Sequence, residues 1–330
     1  MHSWGGPVKF GVIGAGKIGA LHAKNAVLYA NVKVVAIADV NLAAADNLAK
    51  EVGAKKVYSS YEVLLKDPEV DAVIVSLPNN LHYDVIVKSI ESGKHVFCEK
   101  PLCISGRECE DVLRRVKVSG LRLQVGFNRR FDPSYERAKK LIDEGFIGRI
   151  VDVHSNTFDP EPHAGWEAKE ELSGGIFFTS GTHDFDILRW LVGSEVKKVY
   201  AETRGVFGRD QSVVCVLKFV NDVLGTVKAF EFCPYGHDVR TEIVGDKAAI
   251  RIEQPTVTFA KFFEKSKIYN DYPYWFIERF RESYVREIQD FIKCVVENVE
   301  PKVTAFDGLM SVKIAEAAKV SLKEGKAVEI

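Results

Sequence analysis

An apolar run at residues 8–13 leads directly into Gly14-Ala15-Gly16-Lys17-Ile18-Gly19, and a second run at 32–39 closes on Asp39. Between them, residues 17–29 carry the apolar periodicity of an amphipathic helix. Strand, glycine turn, helix and acid-tipped strand in this order constrain the fold more than any other part of the chain. The first glycine permits the tight turn, the second lets backbone amides approach a pyrophosphate, and the third lets helix and strand pack closely. The helix N-terminus then offers positive potential to phosphates. Glycine turns also join strands to helices in proteins that bind no nucleotide, but here the flanking elements and the acid make a dinucleotide site the better reading.

Asp39 bears on the choice of dinucleotide. A carboxylate at that strand end accepts hydrogen bonds from a ribose 2′-hydroxyl and repels a 2′-phosphate, so NAD is expected as the cofactor. Lys17 in the glycine loop would partly offset that repulsion, which leaves tolerance of NADP open.

The chain has 330 residues, enough for two domains, and its 46% hydrophobic and 28% charged residues are an ordinary globular balance. A formal net charge of −1, with no basic run, gives no electrostatic case for nucleic acid or an anionic membrane surface. Small-molecule chemistry is therefore expected. No leader or spanning segment is legible near the first strand, and a cytoplasmic location is expected. The six cysteines are scattered without knuckle or redox spacing, and the histidines form no two-histidine helix motif, so buried free thiols and no metal are expected.

The first third alternates strand and helix patterns, with strands at 8–13, 32–39, 72–76, 95–98 and 121–125 and helices at 17–29, from 41, 81–92 and 105–119. This is the pattern of a Rossmann-type, doubly wound parallel sheet, and a domain of residues 1–126 is expected. Beyond a helix at 133–144, strand-like segments at 150–156, 196–203, 213–219, 224–230, 241–244 and 248–252 are separated by short turns. They predict an α+β domain over 127–304 on a mostly antiparallel open sheet, with helices at 180–191 and 275–298. A last helix and strand within 305–330 are expected to return to the first domain.

Two segments carry chemistry. Cys98-Glu99-Lys100-Pro101 follows a parallel strand, at the edge where doubly wound folds bind ligands, and Pro101 confines Lys100 to extended backbone and allows a cis bond. Lys100 alone could equally be a surface loop lysine. The second segment, Gly174 to Asp186, leads into an apolar helix. If residues 179–191 are helical, Thr179, His183 and Asp186 share a face. A histidine near a helix start is often structural, but the glycines and the carboxylate beside it favour a catalytic role.

With Pro78-Asn79-Asn80-Leu81-His82, Gly126-Phe127-Asn128-Arg129-Arg130-Phe131-Asp132 and Tyr235-Gly236-His237-Asp238, these segments resemble the glucose-fructose oxidoreductase and inositol dehydrogenase family over essentially the whole chain. The run at 129–132 and Arg279-Phe280-Arg281-Glu282-Ser283-Tyr284 are most like its inositol 2-dehydrogenase branch. The resemblance implies that Lys100 and His183 flank the reacting carbon and that Arg129, Asp159, Thr179, Asp186, His237 and Tyr284 hold substrate. It also implies cofactor contacts from Gly14, Gly16, Lys17, Ile18, Gly19, Asp39, Val40, Pro78, Asn79, His82, Glu99 and Lys100, and a homo-oligomer, with a tetramer favoured. Oxidising a secondary alcohol sends a hydride to nicotinamide and a proton to a base. Neutral His183 suits the proton, while Lys100, desolvated and near the nicotinamide charge, would orient the hydroxyl, stabilise an oxyanion or relay the proton.

The chain departs from that branch at Thr179, one turn before His183, where inositol dehydrogenases place an aspartate. A hydroxyl supplies neither its charge nor its bidentate acceptor, so Asp184 or Asp186 would have to compensate, or else substrate choice differs or activity is weakened. The expected activity is reversible NAD-dependent oxidation of a ring hydroxyl of a cyclic polyol or sugar to a ketone. The alternatives are an NAD-retaining glycosidase of the same fold and a non-catalytic nucleotide or sugar sensor.

Overall fold

A computed structural model describes residues 6–206 and 208–330. The chain divides into two compact units, one of residues 6–131, 171–173 and 282–312, the other of 132–170, 174–281 and 313–330. Among the described residues no helix is long and apolar enough to cross a membrane.

The first unit begins β1 (Val8–Ile13), α1 (Lys17–Ala26), β2 (Val32–Ala38), α2 (Leu42–Val52), β3 (Lys56–Tyr58), α3 (Tyr61–Leu65) and β4 (Ala72–Val75). It continues through a 3-10 turn at Asn79–Leu81, α4 (His82–Glu91), β5 (His95–Glu99), α5 (Gly106–Ser119) and β6 (Leu123–Gly126). The six strands are parallel in the order β3-β2-β1-β4-β5-β6. The order reverses between β1 and β4, and ligands of doubly wound sheets bind beyond the strand ends at that switch point. Helix α1 stops at Ala26, short of the expected residue 29. The amides of Leu28 and Tyr29 fold back onto Asn25 and Ala26, and Val32 onto Tyr29, because the chain must reverse to enter β2.

The second unit holds α6 (Pro133–Asp143), β7 (Ile150–Phe158), α7 (Glu170–Ser173, shared with the first), a π turn at Phe177–Gly181 and α8 (Thr182–Val192). There follow β8 (Val196–Gly205), β9 (Asp210–Phe219), β10 (Leu224–Phe230), β11 (Asp238–Gly245), β12 (Ala249–Ile252) and a small hairpin of β13 (Phe262–Glu264) and β14 (Lys267–Tyr269). The larger sheet runs β12-β11-β7-β10-β9-β8-β15, where β15 is Val328–Glu329, and only the β7–β10 pair is parallel. Inward residues alternate along β9, from Gln211 and Val213 to Cys215, Leu217 and Phe219, as one covered face requires.

The helix expected over 275–298 is two helices, α9 (Phe276–Arg279) and α10 (Arg281–Glu297), broken at Phe280, whose backbone leaves helical angles as its ring is buried. The last helix, α11, spans Ala305–Glu324. The return to the first unit comes earlier in the chain than expected. It is α10 and the start of α11 that rejoin it, whereas residues 313–330 stay with the second unit and β15 pairs with β8. The reason is visible in the core: Ile288, Phe291, Ile292 and Val295 on α10 pack with Phe10, Ile74 and Phe97 of the parallel sheet, and the Phe291 ring lies 5.8 Å from Phe10 and 5.9 Å from Phe97. Burying such rings is the main stabilising term available to the unit. All six cysteines are buried free thiols.

Candidate active site

The glycine loop sits at the switch point, and its three glycines are needed for three different reasons. Gly14 has φ of +100°, and a Cβ there would lie 2.0 Å from the Ser76 carbonyl oxygen beyond β4. At Gly19 a Cβ would come within 1.9 Å of the Gly14 oxygen, so this position lets α1 start against the turn. Gly16 faces open space, with no atom of the described residues other than its chain neighbours within 4 Å of a Cβ, and it precedes the first turn of α1, where amides point outward. Its bareness serves whatever approaches from outside, and a pyrophosphate fits that requirement.

Asp39 accepts the Ala15 amide at 2.6 Å through Oδ2 and the Asn41 amide at 2.7 Å through Oδ1. The acid therefore ties the glycine loop to the end of β2, and lone pairs remain on both oxygens for a ribose hydroxyl. Val40 beside it is exposed, as is Lys17, while Ile18 is half-buried. Pro78 starts the 3-10 turn after β4, and buried Asn79 donates to the Ser173 carbonyl at 2.7 Å. His82 is fully buried, with Nδ1 2.7 Å from the Pro101 oxygen and Nε2 2.9 Å from that of Leu77. Burial outweighs both carbonyls and lowers its pKa. It ties the loop after β4 to the loop after β5.

Lys100 follows β5 at the same sheet edge, half-buried, and the Lys100–Pro101 bond is cis. Glu99 accepts its amide at 3.1 Å. Arg129 lies buried in the 3-10 turn after β6, and Tyr284, also in this unit, is buried with its ring edge on His22.

In the second unit the π turn of residues 177–181 changes the phase of the helix that sequence spacing assumed. A π turn takes more residues per turn than an α-helix, so Thr179 and the residues of α8 do not follow the spacing of one regular helix, while His183 and Asp186 keep their i, i+3 relation within α8. Thr179 donates its hydroxyl to the Gly175 carbonyl at 3.2 Å, His183 sits half-buried in the first turn of α8, and Asp186 is buried 3.9 Å from Arg189. Asp184 does not stand in for the missing aspartate. Its two oxygens accept the hydroxyls of Ser155 at 2.5 Å and Thr157 at 2.7 Å, which pins α8 to β7.

Asp159, just past β7, does come near the π turn. Its Oδ2 lies 3.5 Å from Ser180 Oγ and 3.4 Å from His163 Nε2, and its Oδ1 3.9 Å from His237 Nε2. Asp159 and His237 are thus brought together as expected substrate residues, but within an ionic group that motif reading missed. His163 Nδ1 is 3.0 Å from Glu231 Oε1, and Arg209 meets both oxygens of Glu231, at 2.9 and 2.5 Å. Burial would lower the His163 pKa, but the Asp159 and Glu231 carboxylates overcome it and raise the value to about 9. A carboxylate closing the apolar run of β10 was the available signal for Glu231, since a buried acid needs a cation.

A glycine loop at the switch point of a six-stranded parallel sheet, with an acid tying it to the second strand, defines a dinucleotide-binding oxidoreductase architecture. Residues 8–127 match the model of the oxidoreductase family with NAD-binding Rossmann fold, and residues 139–330 match its C-terminal alpha/beta domain. The chain belongs to this family, the glucose-fructose oxidoreductase and inositol dehydrogenase family, and NAD is its cofactor. It is similar to myo-inositol 2-dehydrogenase of Thermotoga maritima, 34% identical over 98% of each chain. It is likewise 34% identical to scyllo-inositol 2-dehydrogenase (NAD(+)) of Bacillus subtilis, covering 98% of this chain and 96% of that one. Among solved structures, scyllo-inositol dehydrogenase of Lactobacillus casei with bound NAD(H) and scyllo-inositol superposes with a TM-score of 0.91 at 29% identity, over 98% of this chain and 99% of that one.

Proposed function

We propose that this enzyme oxidises a secondary ring hydroxyl of an inositol-like cyclic polyol to a ketone, reversibly, with NAD as hydride acceptor. The observation that carries the reading is the full-length similarity to inositol 2-dehydrogenases together with Lys100 at the carboxyl edge of the parallel sheet. Bound NAD supplies the carbon that takes the hydride. His183 receives the hydroxyl proton, and Lys100 orients the hydroxyl or stabilises the oxyanion as charge develops on it. Arg129, Asp159, Asp186, His237 and Tyr284 are assigned to substrate hydroxyls. Because Asp159 is anchored by His163, it is the carboxylate best placed to serve beside Thr179, so the preferred stereoisomer is expected to differ from that of enzymes with an aspartate at this position.

The reading extends to a homotetramer in the cytoplasm. Exposed Val214, Val216 and Leu224 on the outer face of the larger sheet support association through that face. The experiment is NADH formation over a panel of inositols, aldoses and nucleotide sugars, repeated with NADP for the best substrates. Stoichiometric NADH with an inositol is the expected result. NAD binding without NADH on any member would refute the dehydrogenase, with hydrolysis of a glycoside pointing to the glycosidase and no turnover at all to a sensor.

A further inference from the structure

His22 and Glu287 take no part in the chemistry proposed so far, yet both are wholly buried and face the residue that precedes Lys100. His22 on α1, Glu99 at the end of β5 and Glu287 on α10 place one side-chain atom each within 4.8 Å of the others. His22 Nε2 lies 2.6 Å from Glu99 Oε1, and His22 Nδ1 faces Glu287 Oε1 at 3.9 Å. Glu99 Oε2 accepts the Lys100 amide at 3.1 Å. The Glu99 carboxylate thus has two donors. Neither Glu287 oxygen has one, and His22 Nδ1 makes no hydrogen bond.

Two ionised carboxylates in an interior with one imidazole would leave a buried charge unpaired, which is among the costliest arrangements a protein can hold. The group that lacks donors is the one that takes the proton. Burial, with the Glu99 charge adding to it, pushes the Glu287 carboxyl well above its ordinary range, while for Glu99 burial is outweighed by the His22 hydrogen bond and its pKa falls. A neutral Glu287 presents its carboxyl to His22 Nδ1 across 3.9 Å, and the ionised Glu99, 2.6 Å from Nε2, holds the ring as its Nε2–H tautomer. The other titratable groups around the three are Cys98 beside Glu99, Lys100 after it, His82 from α4 and Tyr284 on α10.

We propose that His22, Glu99 and Glu287 are a positioning triad for Lys100, in which Glu287 carries the proton, His22 is held as the Nε2–H tautomer and Glu99 keeps the negative charge beneath the lysine's main chain. A shift of both protons along the line would move that charge from Glu99 to Glu287. The triad therefore fixes how much negative charge Lys100 senses. The proposal rests on the reading of Lys100 as a catalytic residue.

Two measurements test it, and the first needs no activity. Infrared spectra of the apo-protein at neutral pH should contain a protonated-carboxyl band that Glu287→Gln removes; its absence from the wild type, or survival in the variant, would overturn the protonation assignment. The second is the pH profile of kcat. Glu287→Ala should lower kcat by about tenfold and move the limb of the profile, and Glu287→Gln, neutral and still a donor, should restore both. Glu99→Gln should move the same limb. Lys100→Ala is the control: if it leaves turnover intact, the reading of Lys100 fails while the infrared result still stands. If it abolishes turnover but neither Glu287→Ala nor Glu99→Gln moves the profile, the triad is a structural contact and the proposal fails.

Discussion

Replacing Gly16 by alanine separates what the glycine loop does for the fold from what it does for the cofactor. Gly16 has φ −69° and ψ −175°, extended backbone that alanine adopts freely, and a Cβ there meets no atom of the described residues other than its chain neighbours within 4 Å. The unfolded chain loses freedom on the change, so the fold should be unaffected or gain roughly 0.4–1 kcal/mol. The methyl group instead occupies the space through which a pyrophosphate reaches the first amides of α1. Losing one amide-to-phosphate hydrogen bond, worth about 1.5–3 kcal/mol, weakens NAD binding by about 10- to 100-fold. Gly19→Ala is the contrasting case. Its Cβ would sit 1.9 Å from a backbone oxygen, so α1 must retreat by roughly 1 Å and both stability and affinity fall. Calorimetric titration with NAD, paired with thermal unfolding of the apo-protein, reads both quantities. Unchanged NAD affinity in Gly16→Ala would refute the argument that this glycine is bare for the sake of the ligand, and a lowered Tm would refute the claim that the space around it is open.

Lys100→Ala should abolish turnover and leave NAD affinity within a few-fold of wild type by the same titration; parallel loss of binding would assign the lysine to the cofactor instead. For His163, the folded pKa of about 9 lies above the ordinary value near 6.5, so its ion pairs contribute fully below the lower value and are lost as pH rises through the upper one. His163→Gln should therefore be less stable than wild type at pH 6, by at most ~3 kcal/mol, with the gap closing toward pH 10; a gap independent of pH would refute the ionic account. Thr179→Asp should raise the ratio of kcat/KM for myo-inositol to that for the best natural substrate by about tenfold or more, and an unmoved ratio would show that the residue does not select the stereoisomer.

Much of this was legible from the chain. Strand β1 begins and ends where its apolar run does, because a strand buried on both faces has a continuous hydrophobic signature bounded by a glycine turn. The alternating patterns of β9 and β10 announce a sheet with one covered face. The π turn before His183 was hidden, since its residues are individually compatible with an α-helix and only the packing of Phe177 and Phe178 sets the phase. The ionic group around Asp159 was hidden for another reason: Arg209 and Glu231 become neighbours of His163 through sheet topology, which local spacing does not encode. Glu287 left a trace that can be read in retrospect. It falls within the stripe of Tyr284, Ile288 and Phe291, where an unpaired charge has no place unless something inside receives it.

The late return of α10 also has a consequence for how the chain is made. The apolar face that Phe10, Ile74 and Phe97 present to Phe291 and Ile292 stays uncovered until nearly nine-tenths of the polypeptide has been synthesised. All strands of the nucleotide-binding sheet emerge first, yet they wait for a helix encoded after every strand of the second sheet but β15. A nascent chain is thus at its stickiest over a long interval, and a gene fragment ending at the apparent domain boundary inherits that condition permanently. The cofactor unit is discontinuous, residues 6–131 with 171–173 and 282–312, and the second unit both interrupts it and follows it as residues 313–330.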